Sequence, residues 1–217
     1  MTTLNQQCNF PWLLTNVHKV GGVPISNCIN THTFERQGVK FGVIGLAEEE
    51  WIATLGCFDP DDLEYEDFCS VAEDYGKKLR EVEGCDFIIA LTHMRIPNDN
   101  YLAKKSTQID LILGGHDHSY YLRQTKDNLV VKSGADYRNL NHIVVEMPAA
   151  KPEDLPTPPF IDDDNFETDK PYRYWLKDKY HVTITKKDIT QDIKPNQELV
   201  EHVEDYSKEL AKEFAKP

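Results

Sequence analysis

The residues best equipped for chemistry lie in one stretch, Cys85 to His118, which reads CDFIIALTHMRIPNDNYLAKKSTQIDLILGGHDH. Its two short apolar runs, at 87–91 and 111–113, each end in a polar group that carries histidine: His93 after the first, His116 and His118 after the second. Imidazole ligates zinc, manganese, iron and nickel, and a His-x-His pair at a turning strand end aims its two rings in different directions, toward neighbouring ions. Gly114 and Gly115 suit such a turn, because glycine tolerates positive φ and lets other groups come close. A lone histidine is more often a surface or core residue than a ligand, so the expectation rests on the joint placement of His93, His116 and His118. Arg95, two residues beyond His93, is within reach of an anion at the same rim; a salt-bridged surface arginine is the competing reading.

Apolar runs this short, bounded by polar turns, read as buried parallel strands. In open α/β sheets ligands bind just past the carboxyl ends of such strands, which predicts that the three imidazoles gather at one rim. The flanking pattern supplies the rest of the sheet. A short buried strand is predicted over 12–16, followed by an irregular loop in which His18 and His32 lie at the surface. A strand over 39–46 comes next, and Glu48, Glu49 and Glu50 read as a solvated helix start because consecutive side chains point in different directions. Residues 63–82 have apolar positions at helical spacing, with acids early and bases late, as the helix dipole favours, and Gly84 closes that helix. Pro97, Asn98 and Asp99 open a short amphipathic helix through Lys105, and Asp110 reads as a cap at a strand edge. Further strands are expected over 128–133, 142–147 and 180–185, with His142 structural. Leu199, Val203, Tyr206, Leu210 and Phe214 define a final amphipathic helix.

The domain plan is therefore 1–147 as an α/β unit, 148–177 as a loop or insertion rich in proline and aspartate, and 178–217 as a strand plus the terminal helix. A net charge of -13 over 217 residues disfavours nucleic acid as a partner and repels phosphorylated substrates at long range, so any phosphate site needs local positive charge such as a metal ion. Five scattered cysteines imply neither a disulfide framework nor a zinc knuckle. No signal peptide and no membrane span is legible, which leads to an expectation of a cytoplasmic protein with no membrane partner.

Taken in order, FPWLLTNV, GVKFGVIGL, DFIIALTHM, IDLILGGHDH and VVKSGADYRNLNHIVVEM resemble the second half of the catalytic domain of calcineurin-like metallophosphoesterases of the 5'-nucleotidase family. The resemblance implies an incomplete four-layer α/β/β/α sandwich and hydrolysis of small phosphorylated substrates by two divalent metal ions, zinc, manganese, iron or similar. By position it places His93 and His116 on one ion and His118 on the other, with Arg95 toward substrate. The family's Asp-x-His, Gly-Asp and Gly-Asn-His motifs, the last of which carries its catalytic histidine, are absent from this sequence. The expectation is an internal portion of a longer protein, lacking an N-terminal half and a C-terminal domain. Without bridging carboxylate charge two close cations repel, so this chain is expected to hold at most one ion weakly and to hydrolyse phosphate slowly. Two alternatives accompany that reading: a sugar-phosphate phosphatase on the same scaffold, and a non-catalytic binding protein that has lost the site.

Overall fold

The computed structural model describes residues 2–54, 56, 58–125, 127–147 and 159–215. In chain order the elements are α1 (Thr2–Gln7), β1 (Val17–Lys19), β2 (Thr31–Arg36), β3 (Val39–Ala47), α2 (Glu50–Thr54), β4 (Leu63–Tyr65), α3 (Phe68–Glu81), β5 (Phe87–His93), α4 (Ile96–Lys105) and β6 (Leu111–Gly114). There follow β7 (Tyr120–Thr125), β8 (Asn128–Ser133), β9 (Asn139–Glu146), β10 (Ile161–Asp162), β11 (Pro171–Leu176), β12 (Tyr180–Asp188) and α5 (Gln197–Phe214).

A seven-stranded sheet runs β10-β7-β8-β6-β5-β3-β2, and its central members β3, β5, β6 and β8 are parallel. Parallel neighbours need crossovers, and α3 and α4 supply two of them on one face. Because side chains alternate across a strand, Ile88, Ala90 and Ile112 meet these helices in one core, while Phe87, Leu111 and Val131 face the other way. That second core is closed by the antiparallel sheet β11-β12-β9, through Tyr174, Leu176, Val182 and Ile184. Helices on sheet on sheet make an α/β/β stack, the incomplete form of the expected sandwich.

Several boundaries differ from expectation. Residues 63–65 are not helical: they pair with β1, and the helix begins only after Asp67, whose carboxylate accepts from the Ser70 amide as an N-cap. Residues 12–16 are buried at Thr15 and Asn16 but form a single bridge, Leu13 to Ile29, not a strand. Their polar groups are met by β3 instead: the Thr15 amide donates to the Gly45 carbonyl, and the Asn16 side chain bonds Ala47. The expected surface residue His18 is buried at 7 %, beside Asn30 and Glu66. Strand β11 and the short β10 fall inside the proline- and aspartate-rich stretch expected to be loop; residues 148–158 of that stretch lie outside the described residues.

Asp110 is more than a cap. Its fully buried carboxylate accepts from the Ile88 amide at 2.7 Å and from Arg80 at 2.6 Å, and pairs with Lys177 at 2.8 Å, tying the tip of the β11–β12 hairpin to the main sheet. Helix α5 buries no residue, and its five apolar positions from Leu199 to Phe214 are all exposed. No helix among the described residues is long and apolar enough to cross a membrane.

Candidate metal centre

Strand register brings the site together. β5 and β6 end side by side, with Thr92 opposite Gly114 and Ala47 opposite His93. The chain then leaves the sheet at both ends, and the His93 and His116 rings stand with centroids 5.4 Å apart, edge to face. Trp51, from α2, lies against both rings, at 5.0 Å from His93 and 5.4 Å from His116, and its indole N–H donates to the His93 carbonyl.

The two glycines act differently from expectation. Neither Gly114 nor Gly115 has positive φ; the left-handed residues of the turn are the histidines themselves, His116 at 82° and His118 at 58°. Such backbone is unusual for a residue with a side chain and is tolerated by histidine better than by most. The glycines provide clearance. A Cβ on Gly114 would lie 2.7 Å from an Asp99 carboxylate oxygen, and one on Gly115 would lie 3.0 Å from the His93 Nδ1.

His118 does not join the pair. It is exposed and lines a separate depression with Gly134, Arg138, Asn139, Asp163 and Lys186. Its charge still reaches His93, whose pKa is held below the usual 6.5 by partial burial first, then by His116, Lys132 and His118, against the opposing pull of Glu48. A neutral imidazole is the form that binds metal. Among the described residues, no three histidine, cysteine, aspartate or glutamate side chains stand close enough to hold an ion. His93 and His116 therefore stand together as donors for part of the sphere of one cation, with His118 set apart from them.

Arg95 is committed to protein carboxylates. Its guanidinium pairs with Glu48 at 3.1 Å and Glu50 at 2.7 Å. Glu48, expected to be solvated, is 2 % exposed and also accepts from the Asn98 amide group. Burial of a carboxylate demands such partners, and the half-exposed Arg95 side chain supplies one from the rim. His142 is exposed on β9, opposite Thr185, as expected for a structural residue.

Sequence reading missed the group beneath the rim. Lys132 of β8 is 2 % exposed, and its Nζ lies 2.7 Å from the Met94 carbonyl, 2.6 Å from the Gly115 carbonyl, 2.6 Å from Asp117 and 2.7 Å from Asp99. Asp99 in turn accepts from the Thr92 hydroxyl at 2.6 Å. Burial pushes the Asp99 carboxyl up, while Lys132 and Thr92 draw it back. The available signal was a lysine at the end of the apolar run Leu129-Val130-Val131.

Comparison with known proteins follows the same stretch. No family model matches the chain. An apyrase of Tabanus yao is 34 % identical over 87 residues, covering 40 % of this chain and 15 % of its own. A 5'-nucleotidase of Vibrio cholerae is 34 % identical over 124 residues, covering 50 % and 22 %, and the trifunctional nucleotide phosphoesterase YfkN of Bacillus subtilis is 38 % identical over 82 residues, covering 38 % and 6 %. Over these stretches the chain is similar to 5'-nucleotidases and related nucleotide phosphoesterases. It spans less than a quarter of the length of each of these curated relatives. The fold agrees: a 5'-nucleotidase precursor of Thermus thermophilus superposes with a TM-score of 0.71 at 14 % identity, over 99 % of this chain and 41 % of that one. The calcineurin-like phosphoesterase YfkN superposes with a TM-score of 0.65 at 18 % identity, over 95 % and 64 %.

Proposed function

We propose that the chain carries part of a phosphomonoester hydrolase centre of 5'-nucleotidase type, in which His93 and His116 hold one divalent cation and His118 contributes to a second position. The observation that carries the reading is the His93–His116 ring pair at the ends of adjacent parallel strands. Nucleotide dephosphorylation is the reaction we assign, since the curated relatives named above are nucleotidases and a nucleotide phosphoesterase.

When bound, a divalent cation polarises phosphoryl oxygens and lowers the pKa of a bound water. The chain's own residues prepare for this in three ways. Partial burial lowers the His93 pKa, which favours the neutral form that can donate a nitrogen. Trp51 restricts both rings and covers part of the pair from water. The left-handed turn at His116 and His118 sends the two rings of the His-x-His pair in different directions. Arg95 is half exposed, and Glu48 and Glu50 compete with a phosphate for its guanidinium. One observation favours the non-catalytic alternative, that of a chain which binds but does not turn over: among the described residues the donor set is incomplete.

The test is zinc titration by calorimetry, with metal content after dialysis and phosphate release from a nucleoside monophosphate. The expected result is one weak site and slow release, with zinc binding lost in His93→Ala and His116→Ala and kept in His142→Ala. Equal zinc binding in all three variants sinks the assignment of the pair, and two tightly held ions with brisk turnover sinks the incomplete centre.

A further inference from the structure

We infer that Lys132 is a positioning residue for the candidate centre: its ammonium locks the two loops that carry His93 and His116 at a fixed separation without touching either imidazole. This deepens the proposed function and rests on its reading of His93 and His116 as a donor pair.

The geometry is a cross-strand row. Thr92 on β5, Gly114 on β6 and Lys132 on β8 are register partners across three parallel strands. All three lie on the helix-covered face, where Asp99 of α4 stands above them. Gly114 leaves the room that the row needs, since a Cβ there would lie 3.2 Å from the Lys132 Cε and 3.2 Å from the Thr92 hydroxyl. The lysine stem crosses this gap and ends among four oxygens. Two of them report on the histidine loops directly: the Met94 carbonyl is one residue past His93, and the Gly115 carbonyl is one residue before His116. Asp117, between the two histidines of the His-x-His pair, is held as well.

An ammonium has three N–H donors, so four oxygens at 2.6–2.7 Å share them, and every donor is engaged. Burying a lysine costs desolvation, and an apolar residue of similar volume often serves stability as well. A registry role accounts for a charge in this place: the paired carbonyls fix both loops relative to a rigid strand. Among the described residues the other fully buried lysine, Lys186, has a different setting, paired with Asp188 and seated over the Phe166 ring. It supplies a matched control.

The experiment follows the metal-free protein by NMR, reading the imidazole resonances of His93 and His116 and the ring-to-ring NOE between them. In Lys132→Met, which keeps length and removes charge, the expected result is a dispersed amide spectrum with that NOE lost and both imidazole signals shifted. Lys186→Met is expected to keep both. Should Lys132→Met fail to fold, Asp117→Asn removes one of the four contacts at a side chain that is one-fifth exposed; a shifted His116 imidazole is then expected. Wild-type NOE and shifts in folded Lys132→Met, or an unmoved His116 signal in Asp117→Asn, overturn the inference. A parallel zinc titration is expected to weaken about 10-fold or more in Lys132→Met, as for outer-shell partners of metal ligands. If wild type binds no zinc, the donor-pair reading falls, and the ring-to-ring measurement still decides whether Lys132 sets the separation.

Discussion

The indole N–H of Trp51 donates to the main-chain oxygen of His93 at 3.0 Å while the same ring packs against the His93 and His116 imidazoles. One side chain thus holds both backbone and ring of the first histidine. Trp51→Phe keeps an aromatic wall and loses the hydrogen bond, which is expected to cost about 1 kcal/mol in chemical denaturation. Trp51→Ala exposes the rings as well, and NMR titration should find the His93 pKa moved up toward 6.5.

The pH dependence follows in sign. The folded His93 pKa lies below 6.5, so the unfolded chain takes up that proton first as acid is added. Stability contributed through this residue is intact above 6.5 and is lost as pH falls below it. Denaturation midpoints between pH 7.5 and about 5.5 should fall more in wild type than in His93→Gln; parallel slopes in the two proteins would contradict this.

Gly114→Ala and Gly115→Ala separate two kinds of crowding. The first drives a methyl into the buried Asp99–Lys132–Thr92 group and is expected to cost about 1–3 kcal/mol, as overpacked sites do. The second meets the His93 Nδ1 at 3.0 Å, a single contact with an exposed ring and not with a buried charged group. It should leave the denaturation midpoint near wild type and shift the His93 imidazole resonance.

Asp110 joins main sheet and second sheet through Arg80 and Lys177. Asp110→Ala leaves those cations and the Ile88 amide without their shared acceptor, and a loss of about 3–5 kcal/mol is expected by denaturant titration. Lys177→Met should cost less, because burial already holds the Lys177 pKa down and Arg80 still pairs with the carboxylate.

Helix α5 gives the opposite expectation. With no buried residue to lose, Val203→Glu and Leu210→Glu should each change stability by no more than about 0.5 kcal/mol. A larger drop would mean that this helix docks on the domain.

The legible part of this molecule was its buried part. Phe87 to Ala90, Leu111 to Leu113 and Leu129 to Val131 are apolar on both faces because both faces are covered, so they read directly as parallel strands. Strands β2, β7 and β11 were missed since THTFER, YYLRQT and PYRYWL mix charge with aromatics toward the sheet margins. The burial of Glu48 and His18 had no local signal, and that of Lys132 only its place after an apolar run, because each is stabilised by partners distant in sequence: Arg95 and Asn98, Asn30 and Glu66, Met94 and Asp99. The rim of histidines was readable to the extent that strand ends fixed it. His93 and His116 meet because β5 and β6 are neighbours, whereas the path of His118 was set by two left-handed residues that no spacing rule encodes.

That handedness has a bearing on how the histidines are probed. At φ of 82° and 58° any Cβ crowds the backbone carbonyl, and histidine tolerates that region better than alanine, so alanine scanning at His116 and His118 reports a change in backbone preference mixed with the loss of nitrogen. Asparagine and glycine occupy this conformation readily, and an Asn/Gly/Ala series at each position separates the contribution of the imidazole from that of the bend that carries it.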